Sequence, residues 1–464
     1  MVTVRSTNLY SVVLLISFTF HAVGDNITND IIQEISCEIP SIQVTRSKKQ
    51  WTVIIFMAAD NDLRGFAARN IKQMAAIGSN SFLNIVVELH IRISGNKKIT
   101  RRYFIENGKI NHVNATDPHS QRMDSGDQQT LISCCQWAMR DYPADQYALI
   151  LWNHGTGIVD PTGGRIVHAT ELFTFNPAIN KLELDRSVGF LDFIERLDPE
   201  HRGICWDDSS GNYLTNQKLQ EALDHICDNF LGGRKIAIIG FDACLMAMVE
   251  IADLIKHRGH IMVGSQEVEL GTGWNYQLVL SQFLQGSPTP SDFGRHIVHM
   301  YEKTYNKVTN DYTLSAIDLD NINKLDGNIN AVSHALLECL NNQLNNSVRI
   351  SIKNCRDKGN CTHFDEPSYI DLHHFYTNLY AHIGNLQVTG DNANNAKQHL
   401  GQLLQEGCAL LQELALANTA SKNLAKARGL SIYFPERKIH FSYYKTPFAK
   451  NNEWASFLTQ YLMA

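Results

Sequence analysis

A chain of 464 residues with 44% hydrophobic and 19% charged residues, 29 Gly and 11 Pro has globular composition, which excludes a collagen-like or disordered polymer. Its net charge of −6 leaves no basic excess, which argues against nucleic acid as a partner. Ten cysteines with no pair of C-x-x-C motifs argue against a structural zinc site.

At the N-terminus, Arg5, an apolar run over 11–20 and the small residues Ala22-Val23-Gly24 have the layout of a cleaved signal peptide, residues 1–24. That run is shorter than the about 20 residues needed to span a bilayer, so export without lasting membrane insertion is expected. Residues 25–49 are polar and mixed, and read as a linker or pro-segment. Residues 51–57 (Trp-Thr-Val-Ile-Ile-Phe-Met) open a series of short, continuously apolar runs, repeated at 83–89, 147–152, 235–240 and 260–264. Such runs suit strands buried on both faces of a parallel sheet. Helix-like stretches at 63–77, 130–140 and 217–230 fall between them. The alternation predicts an α/β fold, a mostly parallel sheet covered by helices on both faces. Residues 103–106 follow too closely for a helical crossover and predict an antiparallel piece.

This core, residues 50–300, precedes a more helical region over 301–464. Helices are expected at 291–307, 321–342, 370–383 and 392–418. Strand-like pieces at 313–319 and 430–434 are expected to rejoin the main sheet. In an exported chain Cys355 and Cys361, which flank a short loop, are the best candidate disulfide. The adjacent Cys134 and Cys135 read as helix residues.

Two segments end a predicted strand with a reactive side chain: Leu149-Ile-Leu-Trp-Asn-His154-Gly155 and Ile236-Ala-Ile-Ile-Gly-Phe-Asp242-Ala-Cys244. In open α/β sheets the carboxyl ends of the strands form the ligand crevice, so parallel neighbours would bring His154 and Cys244 together. A thiol nucleophile needs an imidazole to take its proton and pass one to the leaving group. Gly155 allows close approach of a substrate backbone and leaves an N–H to donate to an oxyanion. Taken singly, each feature has a plainer reading. A lone Cys at a strand end is usually a small buried hydrophobe, Asn-His-Gly is usually a turn, and Asp242 has the position of a cap for a helix from Ala243 onward.

The segments Trp51-Thr-Val-Ile-Ile-Phe-Met-Ala-Ala-Asp-Asn-Asp62, Trp152-Asn-His-Gly155 and Phe241-Asp-Ala-Cys-Leu-Met246 resemble the clostripain family of cysteine peptidases. So do Gly273-Trp-Asn-Tyr276, Tyr369-Ile-Asp-Leu372 and Gly429-Leu-Ser-Ile-Tyr-Phe-Pro435, in family order across nearly the whole mature chain. The resemblance implies a caspase-like fold with a helical C-terminal extension, and a dyad of His154 and Cys244. It also implies an oxyanion hole from the N–H groups of Gly155 and Cys244, and protein or peptide substrates cut after Arg or Lys. Asp242 matches the acid that lines the pocket for the basic side chain. An acid so near Cys244 disfavours a resting thiolate, so activation on substrate binding is expected. No cofactor is required for this chemistry. Calcium dependence occurs in the family, with Glu267 and Glu269 as candidates by analogy.

The chain departs from the pattern in two places. His154 and Cys244 are 90 residues apart, against about 50 in the related caspase pattern. The surplus lies near 156–205 and includes Arg165, Lys181, Arg186, Arg196 and Arg202. It reads as a self-processing loop, a lid or a surface elaboration. Asn275 stands where the family often has Asp, and the loop around it shows no evident second pocket acid. Beside a peptidase, two other readings stay open: a catalytically silent caspase-like binding protein and a transpeptidase using the same thioester. A serine hydrolase is disfavoured by the lack of a G-x-S-x-G elbow.

Overall fold

A computed structural model describes residues 46–94, 97–115, 117–159, 172–186, 204–390 and 393–463. The expected signal peptide and most of the expected linker lie outside these residues, as do Arg165, Arg196 and Arg202.

The first run forms β1 (Lys49–Ala59), followed by α1 (Arg64–Ile77), β2 (Leu83–Ser94), β3 (Lys97–Glu106) and β4 (Lys109–His112). Next come α2 (Gln128–Asp141), β5 (Ala144–Trp152), and two hairpins, β6 (Phe173–Asn176) with β7 (Lys181–Leu184), and β8 (Ile204–Asp207) with β9 (Asn212–Leu214). Then follow α3 (Asn216–Phe230), β10 (Ile236–Asp242), α4 (Val249–Ile255), β11 (Gly259–Gly264), α5 (Tyr276–Leu280), α6 (Pro290–Tyr305) and β12 (Thr313–Asp318). The C-terminal part contributes α7 (Ile322–Asn341), α8 (Ser347–Arg356), β13 (Tyr369–Asp371), α9 (Leu372–Ala381), α10 (Ala393–Leu414), β14 (Ala415–Ala420), β15 (Ser431–Tyr433), α11 (Pro447–Asn451) and α12 (Trp454–Met463).

Nine strands make one sheet in the order β14-β12-β11-β10-β5-β1-β2-β3-β4. The central five, β2-β1-β5-β10-β11, are parallel. Both flanks are antiparallel, including β3 on β2, where the short connection demanded it. Alternation along β1 explains why its run is apolar throughout. Ile54, Phe56 and Ala58 face one core with α2, α3 and α4, while Val53, Ile55 and Met57 face the other with α1, α5 and α6. A strand buried on both faces has no polar side to display.

Three expectations are corrected. Residues 430–434 do not rejoin the main sheet; β15 pairs with β13 in a separate two-stranded sheet. The strand at that edge is β14, within the stretch expected to stay helical to residue 418. Ala-Leu-Ala favours helix locally, but the exposed edge of β12 offers a ladder of backbone hydrogen bonds that decides the conformation. Cys355 and Cys361 are buried free thiols, the latter donating to the Asp371 carbonyl at 3.9 Å.

Candidate active site

Register brings the two reactive residues together. Trp152 on β5 is paired with Asp242 on β10, and His154 and Cys244 each stand two residues beyond that pair. Both line one small pocket at the carboxyl end of the parallel strands, with Leu63, Asp242, Glu269 and Gly273 in its wall. No helix begins at Ala243, so Asp242 is not a helix cap. Its carboxylate instead accepts the Trp274 N–H at 3.1 Å and the Tyr276 hydroxyl at 2.8 Å.

The chain beyond β10 is sharply constrained. Leu245 holds a left-handed backbone (φ 62°), uncommon for a branched residue. The Leu245 N–H donates to Glu267 O at 3.2 Å and the Ala247 N–H to Ser265 O at 2.8 Å. These bonds to the segment after β11 hold the turn against its strain. Gly155 packs against this turn: a Cβ there would lie 2.4 Å from the Cys244 carbonyl oxygen and 2.9 Å from Met246 Cγ. Gly155→Ala is therefore expected to push the two strand ends apart. It should cost about 1–3 kcal/mol of stability and at least about 100-fold in any activity that needs both residues in register. Chemical denaturation and peptide-amide hydrolysis measure the two effects.

Cys244 is buried, and its Sγ accepts the Glu269 N–H at 3.2 Å. Burial pushes the thiol pKa well up, and the charges of Glu269, Asp365 and Glu267 add to it against that one hydrogen bond. The resting group is a neutral thiol. Burial is the main reason, and the acids responsible are those of the 267–269 segment and Asp365 rather than Asp242.

His154 Nε2 lies 2.6 Å from Asp62 Oδ1. Burial by itself would lower the imidazole pKa, but the Asp62 charge and hydrogen bond and the Asp208 charge outweigh it, so the net shift is upward. Asp62 lies in the Ala-Ala-Asp-Asn-Asp segment, and its position just past β1 is the one sequence signal that places it at the site.

Glu269 is the second acid of the pocket, which the reading of this loop missed. It is buried beside Asp242, and burial and the Asp242 charge hold its pKa well above the ordinary value. Asp242 itself is pushed up to about 7 by burial, against the hydrogen bonds from Tyr276 and Trp274. Two buried carboxyls in one pocket disfavour each other's ionisation, so both hold protons more tightly than a free carboxyl does. Asn275 has a local task instead, capping α5 through the Leu278 N–H. The pocket loop is braced from α1, where Asn70 Oδ1 accepts the Trp152 indole N–H at 3.0 Å and Asn70 Nδ2 donates to the carbonyls of Thr272 and Trp274.

The carboxyls of Glu267 and Glu269 do not fit a calcium ion. Arg186 neutralises Glu267 at 2.8 Å, and the N–H groups of Val268 and Asp365 bind its other oxygen. Glu269 lies beside Asp242 in the pocket wall. Calcium takes six to eight oxygens, and among the described residues no group of three or more His, Cys, Asp or Glu is arranged to hold a metal. Arg186 comes from the insertion, and so does Leu172, which lines the pocket and whose carbonyl accepts the Asp185 N–H at 2.8 Å. The described part of the insertion thus packs on the site.

The fold and site can be set beside known proteins. A C11 cysteine protease of Bacteroides thetaiotaomicron, described as secreted and solved with an irreversible peptide inhibitor, superposes with a TM-score of 0.56 at 18% identity, covering 88% of this chain and 98% of that one. An inactive zymogen C11 protease from Parabacteroides distasonis gives 0.52 at 17% identity, over 89% and 99%. Both likenesses are of fold. Clostripain of Hathewaya histolytica is 24% identical over 265 residues, 52% of this chain; the match takes in 43% of that protein's length. The sequence profile of the clostripain family matches residues 55–169 and 192–461, most of the chain and both strand ends that build the pocket, so this chain belongs to the clostripain family.

Proposed function

We propose that the chain is an exported cysteine endopeptidase that cuts after Arg or Lys, with Cys244 as nucleophile and His154 as acid and base. The observation that carries this reading is the paired register of Trp152 and Asp242, which sets thiol and imidazole in one pocket with two carboxyls. The thiol proton passes to His154 as sulfur attacks the scissile carbonyl carbon. The N–H groups of Gly155 and Cys244 receive the oxyanion. His154 then gives the proton to the leaving nitrogen as the C–N bond breaks, leaving a thioester. Water adds to the thioester carbon, its proton going to His154 and then to sulfur as the acid departs. The side chains named carry every proton, so no cofactor enters the steps.

A basic substrate side chain is favoured by Asp242 and Glu269. A guanidinium or ammonium entering the pocket favours the ionised form of these acids, and a charge-assisted contact out of water is stronger than one in it. The expected signal peptide supports export, as does the secreted B. thetaiotaomicron neighbour. Among the described residues no helix is long and apolar enough to cross a membrane.

Self-processing within the insertion belongs to the same proposal, and the zymogen neighbour is consistent with it. Lys181 is tied to Asn306 O and Asn310 Oδ1, and Arg186 to Glu267. The cut is therefore expected after Arg165, Arg196 or Arg202. Intact mass and N-terminal sequencing of the wild type beside Cys244→Ala test this reading. A cut after one of these residues in the wild type alone supports it. An identical cut in both, or none in a wild type that also refuses a thiol-directed peptide probe, favours the silent binding protein.

A further inference from the structure

The loop after β1 carries a carboxylate that the dyad does not account for. Asp62 and His154 are in hydrogen-bond contact at 2.6 Å, and their side chains are only 9% and 15% exposed. A carboxylate there decides which imidazole nitrogen bears hydrogen. With Nε2–H donated to Asp62, Nδ1 is the basic nitrogen that exchanges the thiol proton. The turn into α1 is closed by another side chain, Asn61 Oδ1, which accepts the Leu63 N–H at 3.0 Å.

Further charges surround the pair. Arg92 on β2 lies 3.1 Å from Asp208 Oδ2 and 3.5 Å from the buried Asp60. The Asp208 N–H donates to the Asp60 carbonyl at 2.8 Å. Lys98 on β3 bridges Asp60 and Asp207. The Trp206 backbone, just beyond the insertion, is clamped by the neighbours of both partners. Asn61 Nδ2 donates to its carbonyl at 3.0 Å, and Asn153 Oδ1 accepts its N–H at 2.9 Å. So β8, which carries Asp207 into Asp208, is fastened to the residue before Asp62 and the residue before His154.

We infer that Asp62 is the positioning residue of His154, completing a Cys–His–Asp arrangement in which Asp208, held by Arg92, is the outer support. The inference rests on the peptidase reading above. Of the charged groups around His154, Asp62 and Asp208 raise its proton affinity, while Asp242 and Glu269 share the pocket with Cys244. An imidazole freed of Asp62 would lose both its fixed tautomer and the charge that stabilises its protonated form.

The test uses the full chain in one processed form, checked by intact mass, as wild type, Asp62→Asn, Asp62→Glu and Asp208→Asn. Cys244→Ala and His154→Ala serve as references. Two rates are followed from pH 5 to 9: hydrolysis of an Arg amide, and alkylation of Cys244 by iodoacetamide, which needs no basic group in the pocket. Asp62→Asn is expected to lower kcat about 10- to 100-fold with KM within about 3-fold. This is less than in serine triads, because a thiol is the better nucleophile. His154 must be neutral to accept the proton, so both rates fall as pH drops through its pKa. Losing Asp62 lowers that pKa and moves the acid limb of both profiles to lower pH. Asp62→Glu should recover part of kcat, and Asp208→Asn should move the limb the same way by less. An Asp62→Asn enzyme within 2-fold of wild type with an unmoved limb overturns the inference. So does an equal loss in Asn and Glu variants with an unmoved limb and a lowered unfolding midpoint, the pattern of a merely structural residue. Full hydrolysis by Cys244→Ala and His154→Ala would instead sink the peptidase reading itself.

Discussion

Cys244→Ala is expected to abolish hydrolysis of an Arg-amide substrate, a loss of at least about 10⁴-fold in kcat, with the fold intact. The thioester route has no substitute once sulfur is gone, and residual rate comes only from binding and oxyanion contacts, as mutation of other nucleophile–base pairs indicates. The substitution removes one buried sulfur atom, so its stability cost stays at about 1 kcal/mol. His154→Ala should cost about as much in kcat, because the neutral, buried thiol cannot ionise by itself. Cys227, a second buried cysteine whose thiol is raised by burial to about 11, separates burial from chemistry: Cys227→Ala should keep activity within about 2-fold. Active-site titration together with thermal unfolding of all three variants measures this. A Cys244→Ala enzyme with more than a few per cent of wild-type turnover would end the assignment.

Asp242→Asn carries the second large effect, and it falls on selectivity. Asn keeps an acceptor for the Trp274 N–H and the Tyr276 hydroxyl, so it removes charge without orphaning buried donors, which would cost about 1–3 kcal/mol each. Expected is a fall of about 10²–10³-fold in kcat/KM for Arg substrates, with much less change for the neutral isostere citrulline. The alkylation rate of Cys244 should be nearly unchanged. The sign of the pH dependence follows from the raised carboxyl. Below about 7 Asp242 holds a proton and offers a cation little; above it the carboxylate is exposed to the incoming charge. Binding of benzamidine, a small cation, should tighten as pH rises through about 7 and weaken as it falls. Asp242→Asn should flatten that profile. An unchanged profile in the variant would move the specificity pocket elsewhere. The same carboxyl affects folding in the opposite sense. Its contribution is fully present below the unfolded pKa and is lost as pH rises through about 7, because the folded state holds the proton more tightly.

The insertion also reaches the site. Leu172 in the pocket wall and Arg186 on Glu267 mean that part of the segment between the two strand ends is packed against the residues that flank the thiol. Burial is the largest influence on the proton of Cys244.

Much of this was legible without coordinates. Five continuously apolar runs marked the parallel strands, since a strand covered on both faces has to be apolar along its whole length. Reactive residues two and four positions past the ends of two of those runs marked the crevice, and the run of segments resembling clostripain pointed to Cys244, His154 and Asp242. These features are local: each is written in a dozen consecutive residues or fewer. The unread features depend on contacts across the fold. Ala415–Ala420 became a strand because the edge of β12 was there to pair with, against its own helical preference. Glu269 became a pocket acid, and Glu267 did not, because two residues of loop after β11 turn one carboxyl toward Asp242 and the other toward Arg186. Asp62, 92 residues before His154, met its imidazole only because β1 and β5 lie side by side. The sequence by itself determined which groups are able to react. The tertiary structure decided which of them meet in one pocket, because contacts at about 3 Å are set only by the packed sheet.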